Sequence, residues 1–187
     1  MRTPRRMAFA AAFVVALVFA RQPGAEQPKK CEIIRRSGDA EVGKDAPWFA
    51  AWTPGNAVIN TKILLKDDAT KRIAYVFFAT YCEPCRYGLN FVKQNKVRLE
   101  AAGVRVVLVD YMEDAGEVKP YLEKMGLKGF IVALDKFGQN GRKFGIEKKT
   151  KNDVSAALPR TFIVGGDGRL KKIIGAEGED YVEQLIN

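Results

Sequence analysis

The order of apolar segments predicts an α/β domain built on a central mixed β-sheet with helices on both faces. Three observations carry this expectation. Two segments, 71–80 (KRIAYVFFAT) and 104–109 (VRVVLV), are apolar on both faces, as strands covered on both sides are. Helical patterns follow each of them and close at Gly103 and Gly126, where C-terminal glycines belong. Finally, 161–164 and 170–174 flank Gly165-Gly166-Asp167-Gly168, a strong hairpin signal that adds antiparallel strands to a βαβα alternation.

Taken from the N-terminus, the chain opens on Arg2, Arg5 and Arg6, followed by an unbroken apolar run over 8–20 and then Arg21-Gln22-Pro23-Gly24. That is the layout of a secretory signal peptide. The run falls short of the roughly 20 apolar residues that a membrane-crossing helix needs. Cleavage after Ala20 or Ala25 fits; an uncleaved anchor and a buried N-terminal helix are the alternatives. The Arg5-Arg6 pair, between Pro4 and Met7-Ala8, matches a twin-arginine signal poorly. Residues 1–20 are therefore expected to be the signal, 21–42 a linker rich in Pro, Gly, Lys and Glu, and 43–187 the folded domain.

Within that domain, 57–65 (AVINTKILL) reads as an irregular strand. The central strand at 71–80 runs into Tyr81-Cys82-Glu83-Pro84-Cys85, and a helix is expected from the cysteines to about Ala102. After the strand at 104–109, a helix spans 113–125; Pro120 is tolerable only near a first turn and argues for a later start. A short strand at 130–134 follows. Three glycines (138, 141, 145) make 136–145 a short helix or loop, and 147–157 reads as a long, polar, basic loop. The hairpin comes next, then a final helix at 179–186.

Composition narrows the function classes. The 187 residues are 47% apolar and 10% aromatic, ordinary for a globular chain. The net charge of +9, less the three arginines of the signal, leaves +6. The basic residues are scattered, and no basic stripe interleaves with aromatics, so nucleic acid is not an expected partner. The charge reads as solubility and attraction to acidic partners or anionic membrane surfaces. There are three cysteines and no histidine, which removes the commonest metal ligand and the usual base for a nucleophile. A zinc site at Cys82 and Cys85 would need two more ligands, and only Cys31 is on offer. No metal and no small-molecule cofactor are expected.

The Cys-x-x-Cys pair is placed where a buried strand ends and a helix begins. Unpaired N–H groups and the positive end of the dipole at a helix start stabilise a thiolate. Cys82 is therefore expected to be the attacking sulfur, with a lowered pKa. Pro84 suits a first turn. Cys85, one turn inside and more buried, can reach a mixed disulfide at Cys82 and resolve it. An inert clip is the competing reading, but a loop this short adds little stability.

Residues 75–86 (YVFFATYCEPCR) resemble the active-site segment of TlpA/ResA-like thiol-disulfide oxidoreductases, a branch of the thioredoxin superfamily. Gly43-Lys-Asp-Ala-Pro47 and 103–109 (GVRVVLV) are similar to that family's entry segment and to its strand after the first helix. Residues 157–164 (ALPRTFIV) with Gly166-Asp-Gly168 resemble its cis-proline segment and closing hairpin. The resemblance covers roughly 43–187 and implies a thioredoxin-like fold. It also implies that Pro159 is cis and packs beside the active cysteines, and that Leu158 offers backbone groups to a bound substrate chain. Tyr81, Glu83, Pro84, Leu158 and Pro159 are then the substrate-contacting set, around catalytic Cys82 and Cys85. Phe78 is read as core.

The resemblance further implies protein disulfides as substrates, an electron donor in the membrane, and a periplasmic or extracytoplasmic location. Apocytochromes c awaiting haem are common substrates of such proteins. The chain departs from the family pattern at three places. Gly88 stands where relatives carry a Glu, Asn90 where they carry a helix-kinking Pro, and Val76 where ordinary thioredoxins bury an acid. Two sources of proton-transfer help near Cys85 are thus missing. Glu83 could compensate or act simply as a dipole partner. The 148–157 segment could frame the substrate groove or be a solvated loop.

Cys31, the odd thiol, is expected to be free or paired with another chain rather than catalytic. Three other functions compete with a reductase. An oxidase or isomerase would run the same chemistry in another direction. A peroxiredoxin would want a Thr three residues before its cysteine, where this chain has Ala79. A binding module would keep the pair as a static disulfide.

Overall fold

The computed structural model describes residues 40–149, 154–175 and 178–187. The expected signal, nearly all of the expected linker and Cys31 lie outside these residues. In chain order the elements are β1 (Ala50–Trp52), β2 (Val58–Asn60), α1 (Thr61–Leu64), β3 (Arg72–Phe78), α2 (Cys85–Gln94), α3 (Lys96–Ala101), β4 (Val104–Tyr111), α4 (Ala115–Met125), β5 (Ile131–Asp135), α5 (Gln139–Lys143), β6 (Glu147–Lys149), β7 (Val154–Ala156), β8 (Arg160–Gly165), β9 (Leu170–Ile174) and α6 (Tyr181–Ile186).

Seven strands form one mixed sheet in the order β2-β1-β5-β4-β3-β8-β9. β3, β4 and β5 run parallel at its centre, and the flanking pairs are antiparallel. This is a thioredoxin-like α/β fold. Side chains of a strand alternate between faces, and β3 is buried on both. Its Ile73, Tyr75 and Phe77 pack with Phe49, Leu64, Val107, Phe144 and Phe162, under α1 and the end of α5. Its Ala74, Val76 and Phe78 pack on the other face with Leu89 of α2, Leu99 of α3, Val118 and Leu122 of α4, and Leu185 of α6. Each such large side chain contributes about 1.5–3 kcal/mol by leaving water. Aromatic pairs at ring distances of 4.3 Å (Phe49–Tyr75) and 4.9 Å (Phe144–Phe162) tie the first of these faces together.

Four local expectations are corrected. The 57–65 segment is a short strand followed by a one-turn helix, because the Asn60 side chain accepts the Ile63 N–H at 2.9 Å and turns the chain. It pairs with β1, an unanticipated strand, across a turn at Thr53-Pro54-Gly55-Asn56. The helix after the cysteines breaks at Asn95, whose side chain donates to the Phe91 carbonyl at 3.0 Å. α4 starts at Ala115, so Pro120 sits in its sixth position rather than near its first turn. Glu117 accepts the Asp114 N–H and fixes that start. The hydrogen bond that Pro120 forgoes would have gone to exposed Gly116, where water can replace it. Fourth, the segment 147–157 is not a loop but the hairpin β6–β7, paired from Glu147↔Ala156 to Lys149↔Val154; 150–153 lie outside the described residues.

The closing glycine of α3 is required twice over. Gly103 has φ +76, and a Cβ there would lie 2.7 Å from Lys71 Cγ and 3.0 Å from the Ala69 carbonyl oxygen.

Candidate active site

β3 delivers the chain to the C-terminal edge of the parallel strands, where α/β sheets place their chemistry. There Cys82 N–H turns back onto the Ala79 carbonyl at 3.1 Å, and Cys82 and Cys85 are joined as a disulfide with Cα atoms 5.3 Å apart. Regular α-helix begins at Cys85, three residues later than Cys82, with Pro84 as N-cap already in helical conformation. The N–H groups of Arg86 and Tyr87 bond to the carbonyls of Glu83 and Pro84 at 3.1 and 3.2 Å. These turns lead into the helix, and Cys82 lies two residues before its N-cap. Buried residues of α2 fall at 85, 88, 89 and 92, one face of a 3.6-residue period. Cys85 lies on that stripe and is 1% exposed, whereas Cys82 is 8% exposed. A reagent arriving from solvent meets Cys82 first.

The register of β3 with β8 sets Phe77 opposite Arg160. Chain leaving β3 for Cys82 and chain entering β8 from Leu158 and Pro159 therefore meet at the same end of the sheet. The Leu158–Pro159 peptide is cis, and Leu158 packs against both core faces, including the cluster that holds Cys82 and Cys85. Tyr81 is 72% exposed, and Glu83 and Pro84 are exposed; all three border the disulfide along the chain. Phe78 is fully buried and stacks on Tyr121 at 6.1 Å, as core. Val76 faces the α2 side of the core, and Gly88 lies on the buried stripe of α2, so neither position offers a carboxylate.

Carboxylates do adjoin the site, from positions with no assigned role in the sequence. Glu113, almost buried, accepts the Thr80 backbone N–H at 2.6 Å with one oxygen and the Thr80 hydroxyl with the other. Its own N–H donates to Asp110 Oδ2 at 3.1 Å. Asp110 is wholly buried at the end of β4, and its Oδ1 has no hydrogen-bond donor. Burial first, then its hydrogen bonding and charge repulsion with Glu113, push the Asp110 carboxyl up to about 8. Asp135, at the end of β5, is held by the N–H groups of Asn140 and Gly141 at 3.0 and 2.7 Å and by the Asn140 side chain at 3.3 Å. Partial burial and then the charges of Glu113 and Asp110 raise the Tyr81 phenol above its ordinary range. The missed signal was an acid ending an apolar strand beside the Cys-x-x-Cys strand, with a second acid three residues on.

Comparison with known proteins agrees with this geometry. Residues 41–184 match the Redoxin family. The thiol-disulfide oxidoreductase ResA of Bacillus thuringiensis is 30% identical over 147 residues, spanning 78% of this chain and 77% of that protein. The thiol:disulfide interchange protein DsbE of Yersinia pestis is 26% identical, over 92% of this chain and 80% of its own length. A crystal structure named for a DsbE of Chlorobium tepidum superposes with a TM-score of 0.63 at 25% identity, covering 79% of this chain and 96% of the other. The disulfide at the strand end, the helix behind it and these relatives together show that the chain belongs to the Redoxin family, as a ResA-like thiol-disulfide oxidoreductase of the thioredoxin superfamily.

Proposed function

We propose that this protein is exported and reduces disulfides in extracytoplasmic proteins, in the periplasm or at the outer face of the cytoplasmic membrane. The observation that supports the exchange chemistry is the asymmetry of the pair: Cys82, 8% exposed, is the outer cysteine, and Cys85 behind it is 1% exposed. The Cys82 thiolate attacks one substrate sulfur and forms a mixed disulfide, while the other substrate sulfur leaves as a thiolate and takes a proton. The Cys85 thiolate then attacks Cys82, the second substrate thiol departs, and the Cys82–Cys85 bond closes. Two electrons from a donor in the membrane reset the pair. Tyr81, Glu83 and Pro84 on one side, with Leu158 and Pro159 on the other, form the substrate-contacting rim, where Leu158 offers backbone groups to an extended chain. An apocytochrome c awaiting haem is the proposed class of substrate.

The test is the reduction potential of the Cys82–Cys85 pair against dithiothreitol and glutathione buffers. A value at or below about −250 mV, in the region of thioredoxin, is expected of a reductase; one near about −120 mV belongs to an oxidase and reverses the proposed electron flow.

A further inference from the structure

The exchange steps above use two sulfurs, yet the Cys82 turn is also tied to a buried pair of carboxyls. Thr80, two residues before Cys82, gives both its N–H and its hydroxyl to Glu113. Glu113 is in turn aimed by Asp110, which accepts its N–H. The link between them, Met112, takes φ +66, a left-handed conformation that a non-glycine residue adopts at a cost and that recurs at functional sites. Its N–H is held by the Asp135 carbonyl at 3.3 Å. The whole turn is thus built to present one carboxylate to the root of the cysteine loop.

Asp110 Oδ1 is buried with no donor directed at it. Asp110 is wholly buried, and burial together with the neighbouring Glu113 carboxyl disfavours its charged form, so it is the member of the pair that keeps a proton. An oxygen that no donor reaches, beside a neighbouring carboxylate, is where that proton belongs. Pairs of this kind share it as a unit.

We propose that Asp110 and Glu113 form a one-proton carboxyl pair that positions the Thr80–Cys82 turn and sets the charge against which the Cys82 thiolate forms. The pair stands in for the acids absent at Val76 and Gly88, and the proposal rests on Cys82 being the attacking sulfur. Glu113 is a positioning residue; it acts through Thr80. Reduction adds two electrons to the S–S bond, and nearby charge decides how many protons accompany them. Chain geometry keeps the Glu113 carboxylate within about 10 Å of the Cys82 backbone, at no more than ~3.6 Å per residue beyond its contact with Thr80. Over that span a unit charge still shifts a thiol by a measurable amount.

Four other titratable and charged groups lie around the pair. They are Tyr81 on the cysteine loop, Tyr121 on α4, Arg86 on α2 near the Tyr121 hydroxyl, and Asp135 on β5. The Tyr121 hydroxyl is buried, and the Arg86 guanidinium beside it partly offsets the rise that burial causes in the phenol. Among the described residues, no group of three or more Cys, Asp or Glu is arranged to hold a metal ion. The proton held on Asp110 leaves near pH 8, and the Cys82 turn then faces one more negative charge.

The test follows the alkylation of Cys82 by iodoacetamide against pH in the reduced full chain, with Cys82 identified by peptide mass. Glu113→Gln keeps an acceptor for Thr80 but removes the charge; it is expected to lower the half-maximal pH by about 0.5–1. Asp110→Asn imitates the protonated partner. It is expected to match the parent at pH 7 and to lose the second inflection near pH 8. Circular dichroism checks that both fold, and Asp110→Asn carries the test if Glu113→Gln does not. A Glu113→Gln profile coincident with the parent, or an inflection near pH 8 that survives Asp110→Asn, overturns the proposal. If the parent exchanges reversibly with glutathione while the variants match it, only this proposal falls. If the parent does not exchange at all, the reading of Cys82 falls first.

Discussion

Gly141→Ala and Gly116→Ala make the same chemical change in two helices, and the structure assigns them opposite signs. A Cβ built on Gly141 lies 2.3 Å from Tyr111 Cε2 and 2.8 Å from Cδ2. Carbon atoms rest at about 3.5–4.0 Å, so the ring or the helix must move by more than an ångström. Tyr111 is buried, and Gly141 N–H is committed to Asp135 at 2.7 Å, so neither side can yield freely. Overpacking of this kind costs about 1–3 kcal/mol. Alanine recovers at most about 1 kcal/mol of helix propensity, less in a helix of five residues. The expected net loss is about 1–2 kcal/mol. Gly116 in α4 has nothing within 4 Å of its added Cβ, so there the same change is expected to stabilise by about 0.4–1 kcal/mol. Urea unfolding with unchanged slope reads both. A Gly141→Ala protein as stable as the parent would refute the reasoning, since it would mean the Tyr111 ring has room that the structure denies it.

Asp110→Asn is expected to change how stability depends on pH. The folded Asp110 keeps its proton up to about 8, while the unfolded chain releases it near pH ~3.9. Between those values unfolding sheds a proton, so wild-type stability falls as pH rises, by at most about 1.4 kcal/mol per pH unit. The neutral Asn removes that slope; parallel curves for parent and variant in urea titrations at pH 5 and pH 8 would contradict the assignment. Asn140→Ala is expected to cost about 2–4 kcal/mol. Its side chain donates to the Ala50 carbonyl at 2.9 Å and to Asp135, and accepts the Ala50 N–H at 3.4 Å, joining β1 to the end of β5. A loss below about 0.5 kcal/mol in thermal unfolding would show that water replaces these bonds.

The central strands, the helices that follow them, the glycine stops and the closing hairpin were legible because each follows from neighbours in the chain. Burial on both faces demands a continuous apolar run, as in 73–79, and a helix must end where a left-handed residue is supplied, as at Gly103 and Gly126. The cysteine pair was legible for the same reason, since strand end, Cys-x-x-Cys and helix are contiguous. Side-chain bonds that compete with local pattern decided the rest. Asn60 turned an apolar stretch into a helix start, Asn95 broke a helix, and the Glu117 cap held α4 in place despite Pro120. The pairing of 147–149 with 154–156 depends on cross-strand contact that periodicity does not report.

Composition and order along the chain determined the fold and the two sulfurs. The surroundings of those sulfurs were settled only by the tertiary structure. Thr80, Asp110 and Glu113 lie up to 33 residues apart in sequence, and become neighbours only because β4 pairs in parallel with β3 and ends at the same sheet edge. An acid's charge state depends on what buries it, and what buries Asp110 is assembled by folding alone.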